Sequence, residues 1–487
     1  LTWRRTCEGV SACAGGLFVA VRASDCAVRV QRPDGSVLVE DVRGYFAGDG
    51  GMRGLERRLH PGERIYGLGE RTGPLVRRGR FEGWNTDAYD DALGGFRPDG
   101  DPLYLPIPFY LSLQGGAAHG VLTDNSFRTR FVVGAGTLEV SAADGALDQY
   151  VIDGPSFAAV LERYSALTGR PPLPPQWALG YHQSRWGYSP QSRVLEVANE
   201  LRRRGLPADA LWLDIQHMRG FRSFTFDPAT FGDPMGLTSA LADAGFHTVA
   251  IVDPGLKIDP GWDVYDQGLA GGHFLRTADG QPFAGEVWPG AAAFPDFSAA
   301  STRSWWAGLV PRLTGQGVDG LWLDMNEPAS FVAPGVPDHL AADGDGTPTT
   351  FAELPNVYAL NAARASWLGL RAAHPGRRPF ILTRSGFAGI QRYAAVWTGD
   401  APSSWATLAQ TPAMLCGLGL SGVPWVGSDV GGYSGRATPE LFARWMELGS
   451  ISPFFRGHVT QGVNDQEPWA FGEEVEDISR EVMRARY

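Results

Sequence analysis

Six charged residues fall at or just past the ends of short apolar runs: Asp214, Asp253, Asp324, Arg384, Asp400 and Asp429. One carboxylate in such a place most often caps the following helix. Six charges in one repeated pattern point elsewhere. Converging carboxylates repel one another and are costly unless a site needs them. A ring of Asp and Arg among aromatic side chains suits a polyhydroxylated ligand, because carboxylates accept hydrogen bonds from hydroxyls and Arg donates to the carboxylates. Two carboxyls facing one bond are the minimum for cleaving a glycosidic link. One attacks the anomeric carbon or activates water, and the other protonates the leaving oxygen. Asp324 ends the run Gly320-Leu321-Trp322-Leu323, and Asp400 ends another run two strands later. On non-adjacent strands of one barrel face, the two can meet across the mouth.

The elements that would position them are legible as a change of rhythm. Residues 1–170 read as an N-terminal β-sandwich, with short alternating runs separated by turns such as Pro33-Asp34-Gly35. Within it, residues 84–100 form a long polar loop, of the kind that usually has a function. The proline-rich segment 171–175 marks a stiff linker. Beyond it, over 171–487, strands alternate with helices, which implies a parallel sheet and an α/β class of (β/α)8 barrel type. Strands are expected at 177–182, 210–214, 248–253, 320–324, 380–384, 394–400 and 423–429. Insertions are expected at about 254–300 and 328–355. Seven strands leave an eight-stranded barrel one short, so the barrel is expected to be incomplete.

Bulk composition removes several function classes. A net charge of −11 argues against a nucleic-acid partner. Basic clusters such as Arg202-Arg203-Arg204 lie among acids and read as solvated faces. No run is long and apolar enough to span a membrane. The spacing of Cys and His fits no metal site, and neither a phosphate loop nor a Gly-x-Ser-x-Gly elbow is present, so no metal or organic cofactor is expected. The four cysteines, Cys7, Cys13, Cys26 and Cys416, read as free thiols, which predicts a reducing, cytoplasmic compartment.

Four motifs carry a resemblance: Trp322-Leu323-Asp324-Met325-Asn326-Glu327; Arg384-Ser385-Gly386-Phe387-Ala388-Gly389 followed by Trp397-Thr398-Gly399-Asp400; Ser428-Asp429-Val430-Gly431-Gly432-Tyr433; and Phe455-Arg456-Gly457-His458 with Gln466-Glu467-Pro468. In this order they resemble glycoside hydrolase family 31, the retaining α-glucosidases and relatives. The resemblance implies Asp324 as nucleophile and Asp400 as general acid/base. It places Asp214, Ile215, Asp253, Met325, Arg384 and His458 in the sugar pocket, with Trp288, Trp322, Trp397 and Tyr433 as aromatic walls. It implies that Asp87, on the long N-terminal loop, reaches over the barrel mouth. The substrate implied is a small carbohydrate with a terminal α-linked glucose. α-Xylosidase, α-glucosyltransferase and sulfosugar hydrolase are the alternatives on the same residues. A non-catalytic carbohydrate-binding protein is the alternative of another class, and both intact carboxylates weigh against it. Trp322 and Met325 flank Asp324 where the α-xylosidase branch typically has Lys and Phe. Gln216 stands where many members have a second acid, and Gly457 where an Asn is frequent. Members continue with a last barrel strand and C-terminal β-domains. The missing strand is therefore expected from sequence after Tyr487 or from a second chain, and a homo-oligomer is a further expectation.

Overall fold

Every barrel strand here is short, and what closes the barrel is the register between them. The computed structural model describes residues 3–5 and 8–487, position 49 without its side chain. Cys7 lies outside these, while Cys13, Cys26 and Cys416 are free and exposed. Eight strand positions follow one another in parallel: Tyr181–Gln183, Ala210–Leu213, His247–Val252, Gly320–Leu323, Phe380–Thr383, Ala395–Trp397, a seventh made of Val426–Gly427 and Asp429–Val430, and Phe455–Gly457. The second, fourth and fifth are buried at every residue. That is why they read as continuous apolar runs, as strands covered on both faces must.

The eighth strand corrects the expected gap. Phe455–Gly457 pairs with Tyr181–Gln183 on one side and with Asp429–Val430 on the other. The place assigned to sequence beyond Tyr487 or to another chain is filled from within. Pairing runs round the whole ring, with one break at Ser428, where the seventh strand leaves the sixth and joins the eighth. The strand escapes hydropathy because Arg456 sits in its middle, fully buried. The first strand also differs in extent: residues 176–179 form a turn of 3-10 helix and the strand begins only at Tyr181. Between the third and fourth strands lie helix Asp263–Ala270 and a small antiparallel sheet of Leu256–Lys257, Gly290–Ala293 and Ala284–Val287. A two-stranded ribbon, Ala341–Ala342 with Thr349–Thr350, follows the fourth strand. No helix among the described residues is long and apolar enough to cross a membrane.

The N-terminal part stacks a nine-stranded antiparallel sheet on a four-stranded one, Gln149–Gly154, Ala117–Thr123, Pro106–Gln114 and Arg64–Gly69. The smaller sheet faces the barrel. Tyr66, Leu105, Phe109 and Leu111 share one continuous apolar core with the barrel helices. The amide of Gly69 donates to the Ser421 hydroxyl at 2.8 Å, pinning the two layers.

The loop at 84–100 leaves the nine-stranded sheet after its strand Gly79–Gly83 and docks on the barrel's C-terminal face. Its anchor is Asn85, which is buried. The Asn85 amide donates to Asn356 Oδ1 at 2.8 Å, and its side-chain nitrogen donates to the carbonyls of Gly386 (2.8 Å) and Asn356 (3.2 Å). Further along, the Phe96 amide donates to the Asp400 carbonyl at 2.9 Å. Gly95 allows that approach: a Cβ there would lie 2.7 Å from the Asp400 carbonyl oxygen. The sandwich thereby holds the backbone of a candidate catalytic residue. Asn85→Ala removes the side-chain donor from the carbonyls of Gly386 and Asn356, and should cost about 1–3 kcal/mol in denaturant unfolding. It should also raise KM, because the loop carries Asp87. An unchanged midpoint and an unchanged KM would show that the loop is held elsewhere.

Candidate active site

Arg384, just past the fifth strand, is the hub of the site. It is 2% exposed. Its Nε and Nη2 donate to the two carboxylate oxygens of Glu327 at 2.9 and 2.8 Å, a bidentate pair. The same guanidinium lies 3.1 Å from Asp324, 3.7 Å from Asp400 and 3.8 Å from Asp87. Its Nη2 also donates to the Met325 sulfur at 3.4 Å. Below it the ring of Tyr104 lies 4.8 Å from the guanidinium carbon. Burial alone would lower the Arg384 pKa. The surrounding carboxylates, Asp324 first, raise it well above its ordinary value.

Local structure explains why these groups converge. Asn326 Nδ2 donates to Thr383 Oγ1 at 2.8 Å, and the Ser385 amide donates to Asn326 Oδ1 at 3.1 Å. The loop after the fourth strand is therefore locked to the loop after the fifth, and Asp324 is held against Arg384. Gly399, at φ +61°, sits where a Cβ would lie 2.2 Å from the Tyr104 ring. Only glycine fits there, and the turn it makes brings Asp400 over the same guanidinium.

The two carboxyls are not equivalent. Asp324 has a close cation and a backbone donor, the Met325 amide at 2.8 Å. Burial raises its pKa, and Arg384 and the Met325 amide pull it back. Asp400 has Arg384 only at the longer distance. Burial pushes its pKa well above the carboxylate range, Arg384 offsets this in part, and Asp324 adds to the rise. Neighbouring carboxyls in unlike environments divide into a base or nucleophile and an acid. Here Asp324 is the one favoured as the anion.

The remaining expected residues assemble around this pair. Asp214 follows the second strand, and burial raises it to about 8. Its Oδ1 accepts from the amide of Ile215, itself buried, at 2.6 Å. Asp253, after the third strand, is buried and pushed well above its ordinary value by burial and then by Asp324 and Asp214. His458, after the eighth strand, has Nε2 at 3.9 Å from Asp214 Oδ2. Tyr433 stacks on its ring at 5.4 Å and Trp322 meets it edge-on at 5.1 Å. Trp322 and Trp397 are in edge contact at 5.7 Å. Trp288 stands further out, packed on Trp186 and Phe331. Of the two departures from the family pattern, Gly457 has a spatial reason: a Cβ there would lie 2.5 Å from the Tyr181 hydroxyl. Nothing in the structure explains Gln216 in place of an acid.

Four contributors were not singled out by sequence. Glu327 lies three residues after Asp324 in a quoted motif, so its signal was present. Tyr104 carries none. Arg456 donates to Asp429 at 2.7 Å, both fully buried, with Trp212 and Trp322 rings at 4.7 Å and Trp397 at 5.2 Å. These four inward residues come from the second, fourth, sixth and eighth strands, so they form one layer of the barrel interior. Glu70 is buried near Arg384 and Glu327 with no salt bridge among the described residues.

A parallel eight-position barrel, a sandwich loop over its mouth and paired carboxyls on one guanidinium define the class of barrel proteins with a carboxylate-lined pocket. Residues 171–487 match the model of the glycosyl hydrolases family 31 TIM-barrel domain, and residues 2–131 match that of the glycosyl hydrolase 31 N-terminal galactose mutarotase-like domain. The chain belongs to glycoside hydrolase family 31. It is 44% identical over 435 residues to an alpha-glucosidase 2 from Bacillus thermoamyloliquefaciens, covering 88% of this chain and 55% of that protein. It superposes with a TM-score of 0.92 and 26% identity on the catalytic subunit complex of ER glucosidase II, covering 100% of this chain and 60% of that one. A family 31 dextranase from Flavobacterium johnsoniae gives a TM-score of 0.89 at 27% identity, with the same coverage. The chain thus spans a little over half the length of these relatives.

Glu70 provides a test of the buried charge balance. Burial lifts its pKa to about 8, against smaller opposing effects of the Leu105 backbone and Arg71. An unfolded Glu titrates near about 4.3. The folded chain therefore holds a proton that the unfolded chain releases between those values. Its contribution is fully present below about pH 4.3 and is lost as pH rises towards about 8. Glu70→Gln cannot ionise. Its thermal midpoint relative to the parent should climb by several degrees between pH 5 and pH 9. A difference that stays flat across that range would mean Glu70 is ionised in the fold.

Proposed function

We propose that this chain carries the catalytic site of a retaining exo-α-glucosidase, acting on terminal non-reducing α-linked glucose of short oligosaccharides. The observation that carries the reading is the unequal treatment of two carboxyls by one arginine. Asp324, with its cation and amide donor, is suited to attack. Asp400, with its raised pKa, is suited to donate a proton. In the first step an Asp324 oxygen bonds to the anomeric carbon while the Asp400 proton passes to the leaving oxygen. In the second, Asp400, now a carboxylate, takes a proton from water. The water oxygen bonds to the same carbon and the bond to Asp324 breaks. Two inversions retain configuration. The alpha-glucosidase relative at 44% identity supports glucose over xylose or a sulfosugar, as do Trp322 and Met325.

The sign of the pH dependence follows from these roles. Activity is lost as pH falls through the Asp324 pKa and as it rises through the Asp400 pKa. Asp400→Ala should lose the alkaline limb and keep turnover only of glucosides whose aglycone leaves without a proton. Asp324→Ala should lower kcat by on the order of 10⁴-fold or more while still binding glucose. Proton NMR of the first product is expected to show α-glucose; β-glucose first would overturn the mechanism. Faster release from p-nitrophenyl α-xyloside than from the α-glucoside would overturn the substrate.

A further inference from the structure

His458 is surrounded on every side, and one of its contacts has a direction. Ser184 follows the first strand and His458 follows the eighth, and these strands pair, with the Ser184 amide donating to the Gly457 carbonyl at 2.8 Å. Across this junction Ser184 Oγ lies 2.8 Å from His458 Nδ1. Both side chains are buried. Among the described residues the Ser184 hydroxyl has no other hydrogen-bond partner. If Nδ1 carried the proton, Ser184 Oγ would accept it and its own buried proton would have nowhere to go. Such an unmet donor is disfavoured. A hydroxyl that donates to Nδ1 meets both needs.

Burial and then Arg456 depress the His458 pKa well below its ordinary value, so the ring is neutral and carries a single N–H. Its plane is fixed by the stacked Tyr433 ring and by the edge of Trp322. Its other nitrogen, Nε2, faces Asp214 Oδ2 across 3.9 Å. That separation exceeds a direct hydrogen bond. A hydroxyl oxygen at about 2.8 Å from each, about 2 Å to the side of the line between them, fits it.

We infer that Ser184 donates to Nδ1 of His458, fixes the tautomer with its proton on Nε2, and so makes that nitrogen the donor to one sugar hydroxyl, which in turn donates to Asp214. Ser184 is thus a positioning residue that never touches substrate. With the other tautomer, Nε2 would present a lone pair in place of that donor. This rests on the proposed sugar pocket, and its test is separable from it.

Histidine-selective ¹⁵N labelling of the full chain, with His458→Gln to assign the signals, reads the tautomer directly. The expected spectrum has His458 Nδ1 at the unprotonated, pyridine-type position and Nε2 at the protonated, pyrrole-type one. In Ser184→Ala the two should move towards each other as both tautomers populate, and in Ser184→Cys, a weaker donor, by less. A protonated Nδ1 in the parent, or signals that Ser184→Ala leaves in place, overturns the inference. In kinetics, Ser184→Ala should lower kcat/KM by about tenfold on the parent α-glucoside. The penalty should vanish for the one monodeoxy α-glucoside that lacks the recognised hydroxyl. An equal loss across the whole deoxy series would mark a merely structural role and overturn it too. The NMR arm needs no turnover, so failure to hydrolyse any α-glucoside would strike the proposed function alone.

Discussion

Two buried guanidiniums hold the pocket together against an excess of acid. Asp87, Asp214, Asp253, Asp324, Glu327, Asp400 and Asp429 gather at the barrel mouth, and the cations in reach are Arg384 and Arg456. Seven ionised carboxylates cannot share two positive charges in a largely buried pocket. Some must hold protons, and the structure decides which. Arg384 directs its paired donors to Glu327, which offsets the rise that burial gives that carboxyl and orients the arginine. Asp324 takes the next-best place. Asp400 and Asp253 come last and are raised well above the carboxylate range, and Asp214 is lifted to about 8. A site built this way obtains, from one residue type and a single shared cation, one carboxyl favoured as the anion and one favoured as the acid.

Arg456 does the same service from below. Its charge is one of the influences that lower the pKa of both Asp324 and Asp214. It can remain buried because Asp429 neutralises it and three indole faces surround it. Burial still lifts Asp429 to about 6, with Arg456 holding it down. The eighth strand exists to put that arginine into the Trp212, Trp322 and Trp397 layer. Barrel closure and the electrostatics of the pocket floor are therefore one arrangement.

This coupling also explains what could be read from sequence. The alternating strands and helices were legible because most barrel strands are buried apolar runs. The strand-end charges were legible because the chemistry of an α/β barrel lies at that end of the strands. The eighth strand was not, since hydropathy assumes that interior positions are apolar and Arg456 violates the assumption. Glu327 was overlooked for a related reason: a carboxylate three residues after another reads as a loop residue until its arginine is seen. Asp87 was placed over the mouth by resemblance, and its 3.8 Å approach to Arg384 depends on Asn85 and Gly95, whose partners are hundreds of residues away. Contacts of that range leave no periodic trace.

The segment from Asp324 to Glu327 condenses the whole design. All four side chains serve the site: Asp324 and Glu327 lie against Arg384, Met325 offers it a sulfur, and Asn326 ties down the loop that bears it. Neither a strand nor a helix can do this, because the first sends alternate residues to opposite faces and the second spreads four residues round its axis. The chain solves the problem at Met325, whose φ of +53° is left-handed. That conformation is uncommon for a residue with a side chain and persists only when its surroundings impose it. Here they do: the Met325 amide is turned back onto Asp324 Oδ1, and the next two residues are each held by the fifth strand's loop. The same backbone turn that gives the candidate nucleophile its donor also delivers the carboxylate that orients its arginine, so neither can be moved without the other.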